Sequence, residues 1–198
     1  MKGPLKFMQS SPNKRFVIPY TVISDHWTIP DPIMAGIWNE AEKSNLHKHV
    51  FPMWVQDSES FTGWCKSGKQ LVHTIWNDLQ QIESLAWLTD IGINSAWAHH
   101  ACFPCVWGGK KSVETMLESF RYWFDFKDKD GGSMFDVLMG MTPSYNRLAL
   151  KFAKRVGCTI LGEIPAIRSI EGREVDRAGA VISYMTREAF NGRKNEQE

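Results

Sequence analysis

The stretch Ser95–Phe124, SAWAHHACFPCVWGGKKSVETMLESFRYWF, constrains the chain most. Its first part reads as a strand. Gly108-Gly109-Lys110-Lys111-Ser112 then turns the chain, and Val113, Met116, Leu117, Phe120 and Phe124 recur at helical spacing. A turn that opens straight into a helix leaves unpaired backbone N–H groups at the positive end of the helix dipole, which suits a phosphate. Lys110 and Lys111 add charge at that point. The turn is not a P-loop. That motif needs a glycine five residues before Gly109, where Pro104 stands, and the dinucleotide pattern G-x-G-x-x-G is missing too.

The remaining elements predict a mixed sheet with helices on its faces. Phe16–Ile23 reads as a strand, with Pro19 pointing to a sheet edge or a bulge. Asp31-Pro32 opens a helix with Asp31 as its cap and Ile33, Ile37 and Ala41 on one face; it ends near Asn45. Ser58–Ser67 is a short helix. Gln70–Trp76, Ser84–Ile91 and Ser95–Phe103 are strands, and so is Phe135–Met141. A helix over Tyr145–Val156 turns Leu148, Phe152 and Val156 inward and is capped by Gly157. Thr159–Ile164 and Ala180–Met185 are the last strands, joined by a polar link, Arg168–Gly179. Residues 1–14 are expected to be poorly ordered, 15–190 to form a single domain, and 191–198 to be a charged tail.

Charge and cysteine usage narrow the function. Lys+Arg 23 against Asp+Glu 22 gives a net charge of +1, which disfavours a protein that coats nucleic acid. No apolar run approaches the roughly 20 residues that span a bilayer, and the start lacks a signal peptide's apolar core. The expectation is a cytoplasmic protein without a membrane partner. Cys65, Cys102, Cys105 and Cys158 are not expected to form a disulfide framework. Cys102-Phe-Pro-Cys105 is a lone C-x-x-C, and His99 and His100 point to opposite faces of a strand, so no metal site is expected. His47 and His49 read as solvated loop histidines.

The run Pro143–Cys158, PSYNRLALKFAKRVGC, is similar to the signature of the GNAT N-acetyltransferase superfamily. A strand ends, Asn146 opens a helix, Ala149 follows three residues on, and Gly157 closes it. Leu161–Pro165 and Tyr184–Glu188 also resemble that family's C-terminal segment, so the motif match covers about Ala96 to Glu188. The resemblance implies an α/β fold, a mixed, largely antiparallel sheet of six to seven strands with helices on both faces. It further implies acetyl-CoA, or another acyl-CoA, as co-substrate. Two parallel strands, Ala96–Phe103 and Phe135–Met141, would splay apart, and the pantetheine arm would pair with the exposed edge like an added strand.

The pyrophosphate would then sit on the N–H groups of Trp107, Gly108, Gly109, Lys110, Lys111 and Ser112. Asn146 would lie near the pantetheine arm, and Arg147 or Lys151 would reach the adenosine phosphates. A strand N–H between Phe103 and Cys105 would polarise the thioester carbonyl. His99 or His100 would take the amine proton, with Tyr145 and Glu163 as further candidates. Trp38, Trp54, Trp64, Trp97 and Trp107 are candidate walls for the acceptor.

Two features depart from the family pattern. The loop [QR]-x-x-G-x-[GA] has Cys105 and Lys110 at its ends, and Ala153 stands where many members carry a general-acid Tyr. The implied function is acyl-CoA-dependent transfer to a small-molecule or protein amine by direct attack on the thioester. A non-catalytic GNAT-like module for binding or phage assembly is one alternative. A nucleobase-modifying enzyme is the other, its nucleic-acid partner disfavoured by the charge balance.

Overall fold

The computed structural model of the protein describes residues 14–52, 54–165 and 179–195. The chain begins with β1 (Arg15–Pro19) and a small hairpin, β2 (Val22–Ile23) and β3 (His26–Trp27). Three helices follow: α1 (Asp31–Lys43), α2 (His47–Val50) and α3 (Ser58–Lys66). Next come β4 (Leu71–Asn77), β5 (Ile82–Thr89) and β6 (Asn94–Cys102). A 3-10 turn at Pro104–Val106 leads into α4 (Lys110–Phe124). The last elements are β7 (Phe135–Pro143), α5 (Arg147–Val156), β8 (Thr159–Ile164), β9 (Ala180–Thr186) and α6 (Arg187–Asn195).

Among the described residues one seven-stranded sheet has the order β1-β4-β5-β6-β7-β9-β8. Only β6 and β7 in it pair in parallel, so the expected mixed, largely antiparallel sheet is present. Period-2 alternation divides the apolar residues between two cores. Leu85, Trp87, Ala101 and Phe103 face α1 and α3, where Met34, Ile37, Trp38 and Phe61 are buried. Ala86, Leu88, Ala96 and Leu138 face α4, α5 and α6, where Phe120, Trp123, Val156 and Phe190 are buried.

Several local expectations are corrected. The strand expected over Phe16–Ile23 stops at Pro19, at the end of an edge strand; Ser24 and Asp25, both at positive φ, then turn the β2–β3 hairpin. Pro30, not Asp31, holds the N-cap position of α1, and Met34 replaces Ile33 in the core, leaving Ile33 45% exposed. α4 starts three residues earlier than expected. Its buried stripe includes Thr115, Met116, Ser119, Phe120 and Trp123, whereas Val113 and Leu117 lie at its margin. On α5, Phe152 and Val156 turn inward but Leu148 is 80% exposed. His47 is in α2 with its ring 5.4 Å from that of Trp38. Residues 191–195 of the expected tail belong to α6. The expected disordered start, all but its last residue, the polar link over 168–178 and residues 196–198 lie outside the described residues.

Candidate functional site

The parallel pairing of β6 with β7 runs from Asn94 opposite Phe135 to Trp97 opposite Met139 and stops there. Both strands continue. β6 stays paired with β5 as far as Cys102, and β7 stays paired with β9 as far as Pro143. Residues 98–102 and 140–143 therefore border a gap in the sheet. The Phe103 N–H donates to the Glu83 carbonyl on β5 at 2.9 Å. Backbone groups alternate in direction along a strand, so those of Cys102 point into the gap. The Cys102 carbonyl accepts a 2.7 Å hydrogen bond from the indole Nε1 of Trp107, a residue 53% exposed.

The start of α4 stands beside β6. Gly108 has φ +74°, a left-handed conformation that glycine adopts without a Cβ penalty, and Gly109 is the extended N-cap residue. No side chain caps the helix, because its N-cap residue is a glycine, and the Ser112 hydroxyl donates to the Gly109 carbonyl at 2.9 Å. The first-turn N–H groups of Lys110, Lys111 and Ser112 are thus left for an outside partner. Lys110 is exposed, with Nζ 3.6 Å from Glu114 Oε1 on the next turn. Arg155 Nη2 donates to the Gly109 carbonyl at 3.4 Å. Arg147, Lys151 and Arg155 are four residues apart, so they form one basic stripe on α5 that ends at this turn.

Asn146 is the N-cap of α5, its Oδ1 accepting from the Ala149 N–H at 3.1 Å. This bond accounts physically for the Asn-x-x-Ala spacing. Gly157 closes the helix at φ +92°.

His99 and His100 part to opposite faces. His99 stacks on Trp87, with ring centroids 5.2 Å apart and planes at 5°, and its Nε2 is 3.0 Å from the Thr89 hydroxyl. Burial lowers its pKa to about 4. His100 lies on the α4–α5 face, stacked at 5.9 Å on Phe152, with Nδ1 3.6 Å from Cys102 Sγ. Its Nε2 is buried without a hydrogen-bond partner, and burial lowers its pKa to about 3. Burial also raises the Cys102 thiol to about 12. Among the described residues no three His, Cys, Asp or Glu side chains are grouped to hold a metal ion.

Phe103 and Cys105 line a cavity of about 480 Å³ that is also bordered by Ile37 and Glu40 of α1 and by Trp76 of β4. Cys105 Sγ donates to the Ile82 carbonyl at 3.2 Å. Trp38 and Trp64, expected as site walls, are buried in the core, whereas Trp54 is exposed. The cavity residues Glu40 and Trp76 escaped the sequence reading. The signal available for α1 was the spacing Ile33, Gly36, Ile37, Glu40, which repeats on one helix face.

No protein-family model matches the chain, and no curated protein matches it by sequence. Solved structures do. A point variant of the spermidine N-acetyltransferase SpeG from Vibrio cholerae superposes with a TM-score of 0.64 at 12% identity, covering 91% of this chain and 98% of that one. A second variant form of the Vibrio cholerae enzyme, titled a spermidine/spermine N-acetyltransferase, gives 0.65 at 13% identity over 91% and 98%. A dodecameric structure of the Vibrio cholerae spermidine N-acetyltransferase gives 0.63 at 12% identity over 90% and 97%. The chain has the GNAT fold. Within that fold, β6 and β7 are the parallel pair that the resemblance implies, and α4 is the helix whose first turn follows the splayed strand. Among the described residues no helix is long and apolar enough to cross a membrane.

Proposed function

We propose that this chain is an acyl-CoA-dependent N-acyltransferase that moves an acetyl group from acetyl-CoA to an amine. One observation carries the reading: β6 and β7 stop pairing at Trp97 and Met139 yet both run on, leaving two strand edges free. An extended arm with amide groups pairs with such an edge as an added strand does. The unpaired N–H groups of Lys110, Lys111 and Ser112 then receive the pyrophosphate, and Arg155, Lys151 and Arg147 offset the remaining phosphate charge. Lys110 does not obstruct the turn, since its side chain runs outward along the helix to Glu114. The Trp107 indole leaves the Cys102 carbonyl when that edge is filled.

The donor supplies an activated thioester. The amine nitrogen attacks its carbonyl carbon, an N–C bond forms, the C–S bond breaks, and the departing thiolate takes up a proton. The nitrogen loses one proton in the same exchange. His99 is the better acceptor for it, because the His100 Nε2 is enclosed and its Nδ1 faces Cys102. The structural neighbours support an amine acceptor, since those enzymes carry spermidine in their names.

Calorimetry with acetyl-CoA on the wild type and on Gly109→Glu tests the reading. A Cβ at Gly109 meets nothing closer than the Lys111 nitrogen at 3.8 Å, so the variant folds while its carboxylate competes for the phosphate site. Wild-type binding that the variant loses is the expected result. No binding by the wild type sinks the transferase reading, and equal binding by both proteins moves the phosphate site elsewhere.

A further inference from the structure

The His99 ring is held from two sides. One face lies on Trp87, with centroids 5.2 Å apart and planes at 5°. Trp87 is itself packed between Phe51 at 5.7 Å and Trp64 at 5.3 Å, centroid to centroid. At its far end the ring meets Thr89, whose hydroxyl is 3.0 Å from Nε2 and 3.3 Å from Asp90 Oδ2. Asp90 leaves β5 at φ +46°, a left-handed conformation that Asp and Asn tolerate better than most side chains.

The protons along this chain of groups can be counted. A threonine hydroxyl has one hydrogen to give, and an ionised carboxylate only accepts. If that hydrogen went to His99, the Thr89 and Asp90 oxygens would face each other at 3.3 Å with no proton between them. Given to Asp90, it makes a charge-assisted bond and leaves Thr89 Oγ1 to accept from the ring. Nε2 then carries the imidazole proton, and Nδ1 keeps its lone pair. Among the described residues Nδ1 makes no hydrogen bond, yet it is not enclosed as the His100 Nε2 is.

Position decides what that lone pair can serve. Nδ1 adjoins Cγ and stays close to β6, whereas Nε2 reaches across to Thr89 on β5. The free edge of β6 begins at Ala98, one residue before His99. Burial lowers the His99 pKa to about 4, against the opposing charge of Asp90, so the ring is neutral at pH 7 and has a tautomer to fix.

We propose that Thr89 and Asp90 are positioning residues that hold His99 as the Nε2–H tautomer, so that Nδ1 is the atom that takes the amine proton. The inference deepens the transferase reading and rests on it. As the N–C bond forms, one proton leaves the amine nitrogen for the Nδ1 lone pair. The ring becomes an imidazolium whose Nε2–H still donates to Thr89. The Asp90 charge and the Trp87 π-face both favour that cation. The proton passes to water once the products leave.

The test uses three variants of the full chain. Thr89→Val removes the hydroxyl and keeps the shape, Thr89→Ser keeps the hydroxyl, and Asp90→Asn removes the charge at a position where Asn also tolerates the positive φ. Long-range 1H–15N spectra of 15N-histidine-labelled protein at pH 7.5 read the tautomer, the His99 signals being those that His99→Gln lacks. The wild type and Thr89→Ser should show a protonated Nε2 and a bare Nδ1, and Thr89→Val should lose that preference. With acetyl-CoA and spermidine, Thr89→Val and Asp90→Asn should each lower kcat about tenfold or more. The spermidine KM and the acetyl-CoA Kd should stay within about twofold, and Thr89→Ser should keep kcat within about threefold.

An Nδ1–H tautomer in the wild type, or a kcat that Thr89→Val leaves unchanged, overturns the roles of Thr89 and Asp90 while the transferase reading stands. A wild type that binds no acetyl-CoA overturns the transferase reading. The spectra need no acceptor, so loss of the Nε2–H preference in Thr89→Val supports the fixed tautomer whichever amine is the substrate.

Discussion

Arg155 Nη2 lies 3.4 Å from the carbonyl oxygen of Gly109, and this contact joins the last turn of α5 to the first turn of α4. The two helices come from sequence positions 46 residues apart, and each follows one strand of the splayed pair. A cation is thereby held beside unpaired helix N–H groups, the arrangement that a phosphate requires.

Arg155→Ala should weaken acetyl-CoA binding about tenfold, or about 1.4 kcal/mol. Arg155 is exposed, so folding stability should move by no more than about 0.5 kcal/mol. The wild-type affinity should also fall as salt rises, and less steeply in the variant. Calorimetry at two salt concentrations checks both statements. An unchanged Kd at low salt would remove Arg155 from the phosphate site.

The buried histidines set an acid limit to stability. His73 is fully buried between β4 and α4, with Nε2 3.0 Å from the Ser119 hydroxyl, and burial lowers its pKa to about 3. His99 and His100 are lowered to about 4 and about 3. In each case the folded value lies below the unfolded one near 6.5, so the unfolded chain binds more protons in acid. Stability is then complete above pH 6.5 and falls as pH drops towards 4, by up to about 1.4 kcal/mol per pH unit for each histidine. Urea unfolding at pH 7.0 and pH 5.0 should show the loss. His100→Phe, which keeps a ring against Phe152, should make it smaller, and an identical loss would mean that His100 does not titrate on unfolding.

Kinetics separate the two neighbours. His99→Gln should lower kcat on the order of a hundredfold with acetyl-CoA affinity retained, as expected on losing a general base. His100→Phe should leave kcat within a few-fold. The reverse pattern would transfer the proton role to His100.

The strands and the Asn146–Gly157 helix were legible because each rests on local chemistry. Asn146 caps through its own side chain, and Gly157 adopts a positive φ that glycine alone adopts readily. The inner face of a helix is less local. On α4, Val113 and Leu117 had the apolar spacing, yet the sheet receives Thr115 and Ser119, because His73 and Cys102 present polar groups there. Ile33 on α1 carried the same ambiguity, and Met34 took the core position. Nothing local marks where β6 and β7 part, since that is a property of two strands and their outer partners. The cavity was hidden for a similar reason. Glu40 on α1, Trp76 on β4 and Phe103 just after β6 meet only in the folded chain.

Thiol labelling tests the packing of the cysteines. Cys65 is buried, and burial raises the Cys65, Cys102 and Cys158 thiols, the last to about 11. Cys105 is the exposed one. At pH 8 the native protein should give one promptly reacting thiol, lost in Cys105→Ser, and four after denaturation. A second fast thiol, located by Cys102→Ser and Cys158→Ser, would show that the packing around that cysteine opens readily.

The final prediction concerns a charge buried at the sheet edge. In the β4–β5 register Ile75 lies opposite Ser84 and Trp76 opposite Ile82, so Glu83 is the extra residue of a β-bulge. It is 3% exposed and holds Arg15 of β1, which is 6% exposed and also reaches Glu114 of α4 at 2.9 Å. One guanidinium thus ties the edge strand, the bulge and the helix whose first turn is the proposed phosphate site. Arg15→Met leaves the Glu83 carboxylate buried without its partner and should cost about 3–5 kcal/mol. Replacing both residues by methionine removes the stranded charge and should recover most of that loss. Recovery to full stability need not restore acetyl-CoA affinity, because Glu114 would lose Arg15 and α4 would lose that tie to β1. Urea unfolding of the two single variants and the double variant, with acetyl-CoA titration of each, measures both effects. Additive losses in the double variant would show that Arg15 and Glu83 contribute separately to the fold.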